Sequence, residues 1–249
     1  MPEYCVTGGT GFIAAYVVKS LLERGHTVRT TVRDPEDDSK VGFLKELNGA
    51  KERLKVYKAD LLREGSFDEA VDGVDGVFHT ASPVVVPYDN NVQATLIDPC
   101  IKGTQNVLGS CLKSATVKRV VLTYLLFLHT LWYAYAKTMA EKEAWRIARE
   151  KGPRSGVVNP SFFVGPLISP QPTSSLLLVL AVVKGLRGEY PNTTLGFVHI
   201  DDVVAAHVLA MEEKRASAKY PQYPYEKKCG SQKEMFDDCI KSFQEKGLL

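Results

Sequence analysis

The run Val6-Thr7-Gly8-Gly9-Thr10-Gly11-Phe12-Ile13-Ala14 sits between two patterned segments. Glu3 to Val6 reads as a short strand, and Phe12 to Arg24 as a helix. A glycine-rich turn joining a strand to a helix is where a Rossmann-type fold receives the pyrophosphate of a dinucleotide. Gly8 permits the tight turn, and Gly11 lets the backbone approach the phosphates. Ala14 stands where a third small residue lets helix and strand pack closely. Glycine-rich turns are also common in plain loops. The strand before this one and the helix after it favour a cofactor.

Working outward, His26 to Arg33 has the β-branched alternation of a second strand. An acid near its end would bind the adenosine ribose hydroxyls and favour NAD. Here stands Arg33, then Asp34, with Lys40 further on. A guanidinium suits a 2′-phosphate through paired hydrogen bonds, which favours NADP(H). The alternative for Arg33 is a solvated strand-end charge, and Asp34 keeps NAD open. Leu54 to Ala59 reads as a third strand ending at Asp60-Leu61, where the acid either faces an adenine amine or caps a helix. Ser66-Phe67-Asp68-Glu69 has the capping-box pattern of a short helix. Gly76 to Pro83 is a fourth strand. Ala81 and Ser82 at its exit leave room for the cofactor ribose, and His79 reads as a packed strand residue. A helix is expected from about Gln93 to Ser114, with a break at Asp98-Pro99. Arg119 to Thr123 is the fifth strand. Alternating strands and helices imply an α/β fold, a doubly wound parallel (Rossmann) sheet with ligands at the strand carboxyl ends.

Bulk properties narrow the classes. The chain has 249 residues, 45% hydrophobic and 24% charged, with a net charge of +2. That is an ordinary globular composition, with no charge excess calling for nucleic acid. Cys5, Cys100, Cys111, Cys229 and Cys239 show no metal-ligand spacing and are odd in number, so they are expected as reduced thiols and no metal is expected. No basic and apolar leader opens the chain, and no apolar run suits a bilayer span. A cytoplasmic protein with a small-molecule substrate is expected.

Tyr133 and Lys137 lie four apart in the helical segment from Trp132 to about Glu150, so they share one helix face. An ammonium beside a phenol favours the phenolate and lowers its pKa, making tyrosine a usable proton donor and acceptor. Tyr223 and Lys227 repeat the spacing, but Pro224 between them argues against a helix. The sixth strand spans Gly156 to Pro160. Pro166, Pro170 and Pro172 mark a crossing loop, and Ser174 to Lys184 an apolar helix. Leu195 to Ile200 reads as a returning strand, with Asp201 capping a helix from Asp202 to Glu213. His199 and His207 are expected to pack or hydrogen-bond rather than to ligate metal. The expected division is a dinucleotide-binding domain at 1–160 and a smaller, reduced substrate-binding region at 161–249, with 196–213 returning to the nucleotide domain.

The stretches TGGTGFIA, HTVRTTVRDP, DPCIKGTQNVL, LWYAYAKTMAEKEAW, VVNPSFFVGP and GFVHIDDVVAAHVLAMEE together resemble the extended short-chain dehydrogenase/reductases of the plant dihydroflavonol reductase and cinnamoyl-CoA reductase group. Within it, the reductases of tetraketide α-pyrones, which serve sporopollenin formation in pollen walls, are the most similar. The resemblance covers most of the chain. It implies NADPH-dependent reduction of a ketone carbonyl, with Tyr133 as proton donor and Lys137 on the nicotinamide ribose. Gly8, Gly11, Phe12 and Ile13 would cradle the pyrophosphate, and Arg33 and Lys40 would hold the 2′-phosphate. Asp60 and Leu61 would flank the adenine, while Pro160 and Ser161 would line the nicotinamide. A dihydroflavonol or a cinnamoyl thioester is the alternative substrate.

The chain departs from the group at three places. Relatives continue the fifth strand as Leu-Thr-Ser-Ser, with a serine that holds the substrate carbonyl. Here the sequence is Leu122-Thr123-Tyr124-Leu125, and a short apolar run to Leu131 replaces a few dozen residues. Thr123 faces the wrong side of the strand to substitute, leaving His129 or Thr130 as donors. Junctions after Lys219 and Lys233 skip further pieces of the substrate region. Such losses uncover apolar surface and suit an alternative of another class. That alternative is an inactive NADP-binding isoform, associated with the full-length reductase or with pathway enzymes.

Overall fold

The computed structural model describes residues 1–83, 91–124, 131–150, 153–173, 175–186, 188, 195–213 and 231–249. His129, Thr130, Cys229, the Tyr223–Lys227 pair and the junction after Lys219 lie outside them.

Six strands, β1 (Glu3–Thr7), β2 (Thr27–Val32), β3 (Leu54–Lys58), β4 (Gly76–His79), β5 (Arg119–Thr123) and β6 (Arg154–Val158), form one parallel sheet in the order β3-β2-β1-β4-β5-β6. The chain winds outward from β1 to β3, then returns beside β1 and winds the other way. The carboxyl ends of β1 and β4 are therefore the topological switch point, where a doubly wound sheet opens a crevice. In register, Thr7 lies beside Thr31 and His79.

Both faces of the sheet are covered, which is why β4 and β5 are buried at every position. Alternate residues serve different cores. Val6, Phe78 and Val121 face a cluster containing α1 (Phe12–Glu23), α8 (Ile200–Glu212) and α9 (Gln232–Glu245). Cys5, Val77, Val120 and Leu122 face α4 (Asp68–Val71), α5 (Asp98–Lys113) and α6 (Leu131–Glu150). The period-two alternation of strands thus divides the apolar residues between two layers of helices. Short helices α2 (Asp38–Lys45) and α3 (Ala50–Arg53) link β2 to β3. The remainder is β7 (Phe162–Val164), α7 (Ser175–Val183) and β8 (Phe197–His199), with β7 and β8 paired in parallel as a second small sheet.

Three local expectations are corrected. The helix does not break at Pro99. A wide π-helical stretch, Gln93–Ile97, runs straight into α5, and proline occupies its first turn, where no intrahelical N–H bond is lost. The Ser66 capping box does not form: Ser66 Oγ accepts the Asp60 N–H at 2.7 Å, and α4 begins after Phe67 without a side-chain cap. Nor does Asp201 cap α8. His199 does so, its Nδ1 accepting the Asp201 N–H at 3.2 Å.

α8 is tied to the sheet at its carboxyl end and near its middle. The buried Arg119 guanidinium donates to Ala210 O at 2.7 Å and Glu213 O at 2.5 Å, placing a cation on the negative end of the helix dipole. His207, fully buried, is bonded to Thr123 Oγ1 at 2.8 Å and to Val203 O at 2.7 Å. Leu177 and Val183 of α7 and the following Leu186 are exposed. Among the described residues, no helix is long and apolar enough to cross a membrane, and no group of three potential ligands is placed to hold a metal. The four described cysteines are buried free thiols.

Candidate functional site

Gly8 adopts φ +74°, a left-handed conformation that an L side chain enters only with strain. A Cβ there would also lie 3.0 Å from that of Ala81, across the switch point. The turn is anchored by hydrogen bonds from Gly8 N to Thr31 Oγ1 at 3.3 Å, Gly9 N to Thr31 O at 2.9 Å and Gly11 N to Gly8 O at 2.9 Å. Gly11 then becomes the N-cap of α1. A glycine has no side chain to cap with, and the first turn carries no acid. The positive end of a twelve-residue helix, with Phe12 and Ile13 as its first two residues, is thus left for an external anion. The small-residue cradle and the uncapped helix end both fit a dinucleotide pyrophosphate.

Sequence reasoning missed two supports of this turn. Gly9 is the tightest position: its Cβ would stand 2.2 Å from Thr30 Oγ1. Thr7 joins the two switch-point loops. Its Oγ1 accepts the Ala81 N–H at 3.1 Å and is bonded to His79 Nδ1 at 3.0 Å, and its carbonyl accepts the Thr80 hydroxyl. The clue to Thr7 was its place as the last residue of a central strand. His79 is buried, and its pKa falls to about 3, chiefly through burial and secondarily through the Lys137 charge. It is a packed, neutral strand residue.

From Ala81 the neighbours lead to α6. Ser82 Oγ lies 3.9 Å from Cys100 Sγ. Cys100, Tyr133, Ala136 and Ala140 share one apolar cluster with Leu96 and Ile97. Tyr133 is 3% and Lys137 7% exposed. Burial lowers the Lys137 pKa, with the Cys100 thiol acting weakly against that shift. Burial raises the Cys100 thiol, and the Lys137 charge opposes it. Lys137 has no carboxylate partner among the described residues, and burying its ammonium is costly. Cys100 was not singled out from the sequence, because only the fold brings α5 against α6.

The outer residues follow other strand carboxyl ends. Arg33 follows β2, is exposed and makes no ion pair among the described residues. Lys40 is turned toward Asp37, at 2.5 Å. Asp60 follows β3, and its Oδ1 accepts the Leu62 N–H at 2.9 Å, closing a local turn. Leu61 packs against Gly103 of α5, and its carbonyl accepts from Asn106 Nδ2 at 2.7 Å. Pro160 is buried after β6, while Ser161 is exposed and borders Gly196.

At the end of β5, the Thr123 hydroxyl points to His207 under α8, away from α6. Tyr124 takes the next position. Its N–H extends the ladder to Val158 O at 2.9 Å, and its hydroxyl is 2.6 Å from Thr138 Oγ1.

The 3-beta hydroxysteroid dehydrogenase/isomerase family matches residues 5–126, and the NAD dependent epimerase/dehydratase family matches residues 128–224. The chain is 56% identical to tetraketide alpha-pyrone reductase 2 of Arabidopsis thaliana, covering 100% of both. That alignment runs over 321 positions against the 249 residues of this chain, so internal gaps fill the difference. Cinnamoyl-CoA reductase CAD2 of Medicago truncatula is 42% identical over 87% of this chain and 74% of its own. Among solved structures, vestitone reductase from alfalfa superposes with a TM-score of 0.82 at 28% identity, covering 100% of both chains. Gre2 of Candida albicans, solved in complex with NADPH, superposes with a TM-score of 0.74 at 26% identity over 88% of this chain and 77% of its own. The switch-point cradle, the Tyr133–Lys137 helix and these matches together place the chain in the extended short-chain dehydrogenase/reductase family of NAD(P)-dependent oxidoreductases.

Proposed function

We propose that the chain is an NADPH-dependent reductase of a ketone carbonyl, and that its substrate is of the tetraketide α-pyrone type. The observation that carries the reaction type is the buried Lys137 ammonium one turn from the buried Tyr133, at the carboxyl side of the sheet beyond the glycine cradle. The substrate class is supported by 56% identity over the full length of a tetraketide α-pyrone reductase.

In this reading Gly8 and Gly11 let the pyrophosphate approach the backbone, and Phe12 and Ile13 at the start of α1 hold it through their N–H groups and the helix dipole. Arg33 binds the 2′-phosphate, with Lys40 joining it if it leaves Asp37. Asp60 and Leu61 border the adenine, while Ala81, Ser82, Pro160 and Ser161 border the ribose and nicotinamide. Bound NADPH supplies the hydride. Tyr133 gives its phenolic proton to the carbonyl oxygen as negative charge develops there. Lys137 binds the nicotinamide ribose and favours the phenolate left on Tyr133. The apolar cluster around Tyr133 excludes water from the proton transfer.

The test is NADPH consumption with a tetraketide α-pyrone, a dihydroflavonol and a cinnamoyl thioester. Turnover of the first, lower turnover with NADH, and a loss on the order of 100-fold or more in Tyr133→Phe are expected. No turnover with any of the three overturns the reading. A second reading, NADP binding without turnover, is favoured by β5, where Thr123 is engaged with His207 and Tyr124 stands where the group carries serine. NADPH binding seen by fluorescence without turnover would select it.

A further inference from the structure

We infer that Tyr124 is a positioning residue, a clamp that sets the rotation of α6 and thereby the direction in which Tyr133 and Lys137 point. This rests on the reading of those two residues as the reacting pair. The Thr138 hydroxyl donates its only proton to Ala134 O, one turn back, at 2.9 Å. The Tyr124 hydroxyl, 2.6 Å from Thr138 Oγ1, therefore donates to that oxygen. Its own oxygen lies 3.5 Å from Ala134 O, so the hydroxyl sits over that turn while its one proton goes to Thr138. Ala134 and Thr138 each follow one residue after Tyr133 and Lys137. Consecutive helix positions are fixed about 100° apart, so holding one pair holds the other.

The base of the clamp is rigid. Tyr124 is 4% exposed, continues the β5–β6 ladder through its backbone and packs its ring in the core under α5 and α6. Tyr133 packs in a different cluster, so the clamp works through the helix and not by direct contact with the reacting group. A phenol reaches across to α6, whereas a serine at this position would not span the distance. The same substitution that removes a hydroxyl from the carbonyl site thus supplies an anchor for the helix.

The test compares Tyr124→Phe, which keeps the ring, with Thr138→Val and Thr138→Ser, measuring turnover, NADPH affinity, melting temperature and amide hydrogen exchange. Tyr124→Phe and Thr138→Val are each expected to lower kcat about tenfold, with NADPH affinity and KM changed less than about twofold, because misalignment acts on the reacting geometry. The double variant should be no worse than either single one, and Thr138→Ser should retain activity. Exchange should accelerate in residues 132–138 and not in the sheet. If the parent chain has no turnover, the proposed function fails, and the exchange pattern alone decides the clamp. Unchanged exchange at 132–138, or acceleration spread evenly over the sheet, overturns it, as does an unchanged kcat in an active parent.

Discussion

At the scale of single residues, the glycine turn separates two demands that a sequence merges. Gly8 is required by its backbone angle, whereas Gly9 is required by space. Thr30 Oγ1 fills the position a Gly9 Cβ would take, and it is fixed there by donating to Val6 O at 2.9 Å in a fully buried setting. Gly9→Ala must therefore displace a hydrogen-bonded side chain, and a loss of about 1–3 kcal/mol is expected from overpacking. Gly109 provides the contrast. It lies within α5, and a methyl group added there would meet nothing within 4 Å, so Gly109→Ala should stabilise by about 0.5–1 kcal/mol through helix propensity alone. Urea unfolding of the two variants measures both signs. Equal effects would show that the turn yields to a methyl group. Gly8, Gly11 and Ala14 were legible because motif and context coincide. Gly9 was not, because its partner Thr30 sits on another strand and only the parallel register brings it near.

At the scale of elements, one helix-start pattern has opposite outcomes at two places. Ser66 and Glu69 fit it, yet Ser66 is diverted to the Asp60 N–H, and Asp68 turns instead to Ser110 at 2.5 Å and Lys113 at 2.8 Å. Ser231 and Glu234 form the reciprocal box. Ser231 Oγ accepts the Glu234 N–H at 3.3 Å, and Glu234 Oε2 accepts the Ser231 N–H at 2.8 Å. The difference at Ser66 is tertiary: a backbone donor from a neighbouring turn claims its hydroxyl oxygen. Ser231→Ala is expected to cost about 1 kcal/mol, and since α9 buries Met235, Cys239 and Phe243, the loss should appear in global unfolding and not only as fraying. A melting curve unchanged within error would show that α9 contributes nothing to the cooperative unit. The doubly wound parallel sheet was legible, because strand-like runs alternating with helical segments leave few topologies. Caps and the π-helical entry to α5 were not, since each depends on which neighbour claims a polar group.

At the scale of the whole molecule, two buried histidines set how the fold responds to acid. His79 joins β4 to β1 through Thr7, and His207 joins α8 to β5 through Thr123, so the two tie different parts of the sheet together. Burial is the main cause of both lowered values, with a folded pKa of about 3 for His79 and about 4 for His207. In the unfolded chain each takes its proton at about pH 6.5. Below that pH the unfolded state binds more protons than the folded one, so stability falls as pH falls. Above it both states are neutral at these sites, and the contribution to stability is complete. Each histidine should add a slope approaching about 1.4 kcal/mol per pH unit between its unfolded and folded values. Paired carboxylates act in the same direction but lower. Hydrogen bonds from Arg146 hold Glu143 at about 2, and Lys113 and Lys118 lower Asp68 and Asp75, so their loss is felt below the ordinary carboxylate range. The window from about pH 6.5 to pH 4.5 therefore belongs to the histidines. Urea midpoints measured across that window, from neutral pH downward, should fall steadily in the parent chain. His207→Gln, which can keep a bond to Thr123 but cannot titrate, should lose part of that fall while starting from a lower stability at neutral pH. A parent chain as stable at the acid end of the window as at neutral pH would mean that these imidazoles gain water or a partner on protonation, and that the two buried histidine bonds are not the acid-sensitive joints of the fold.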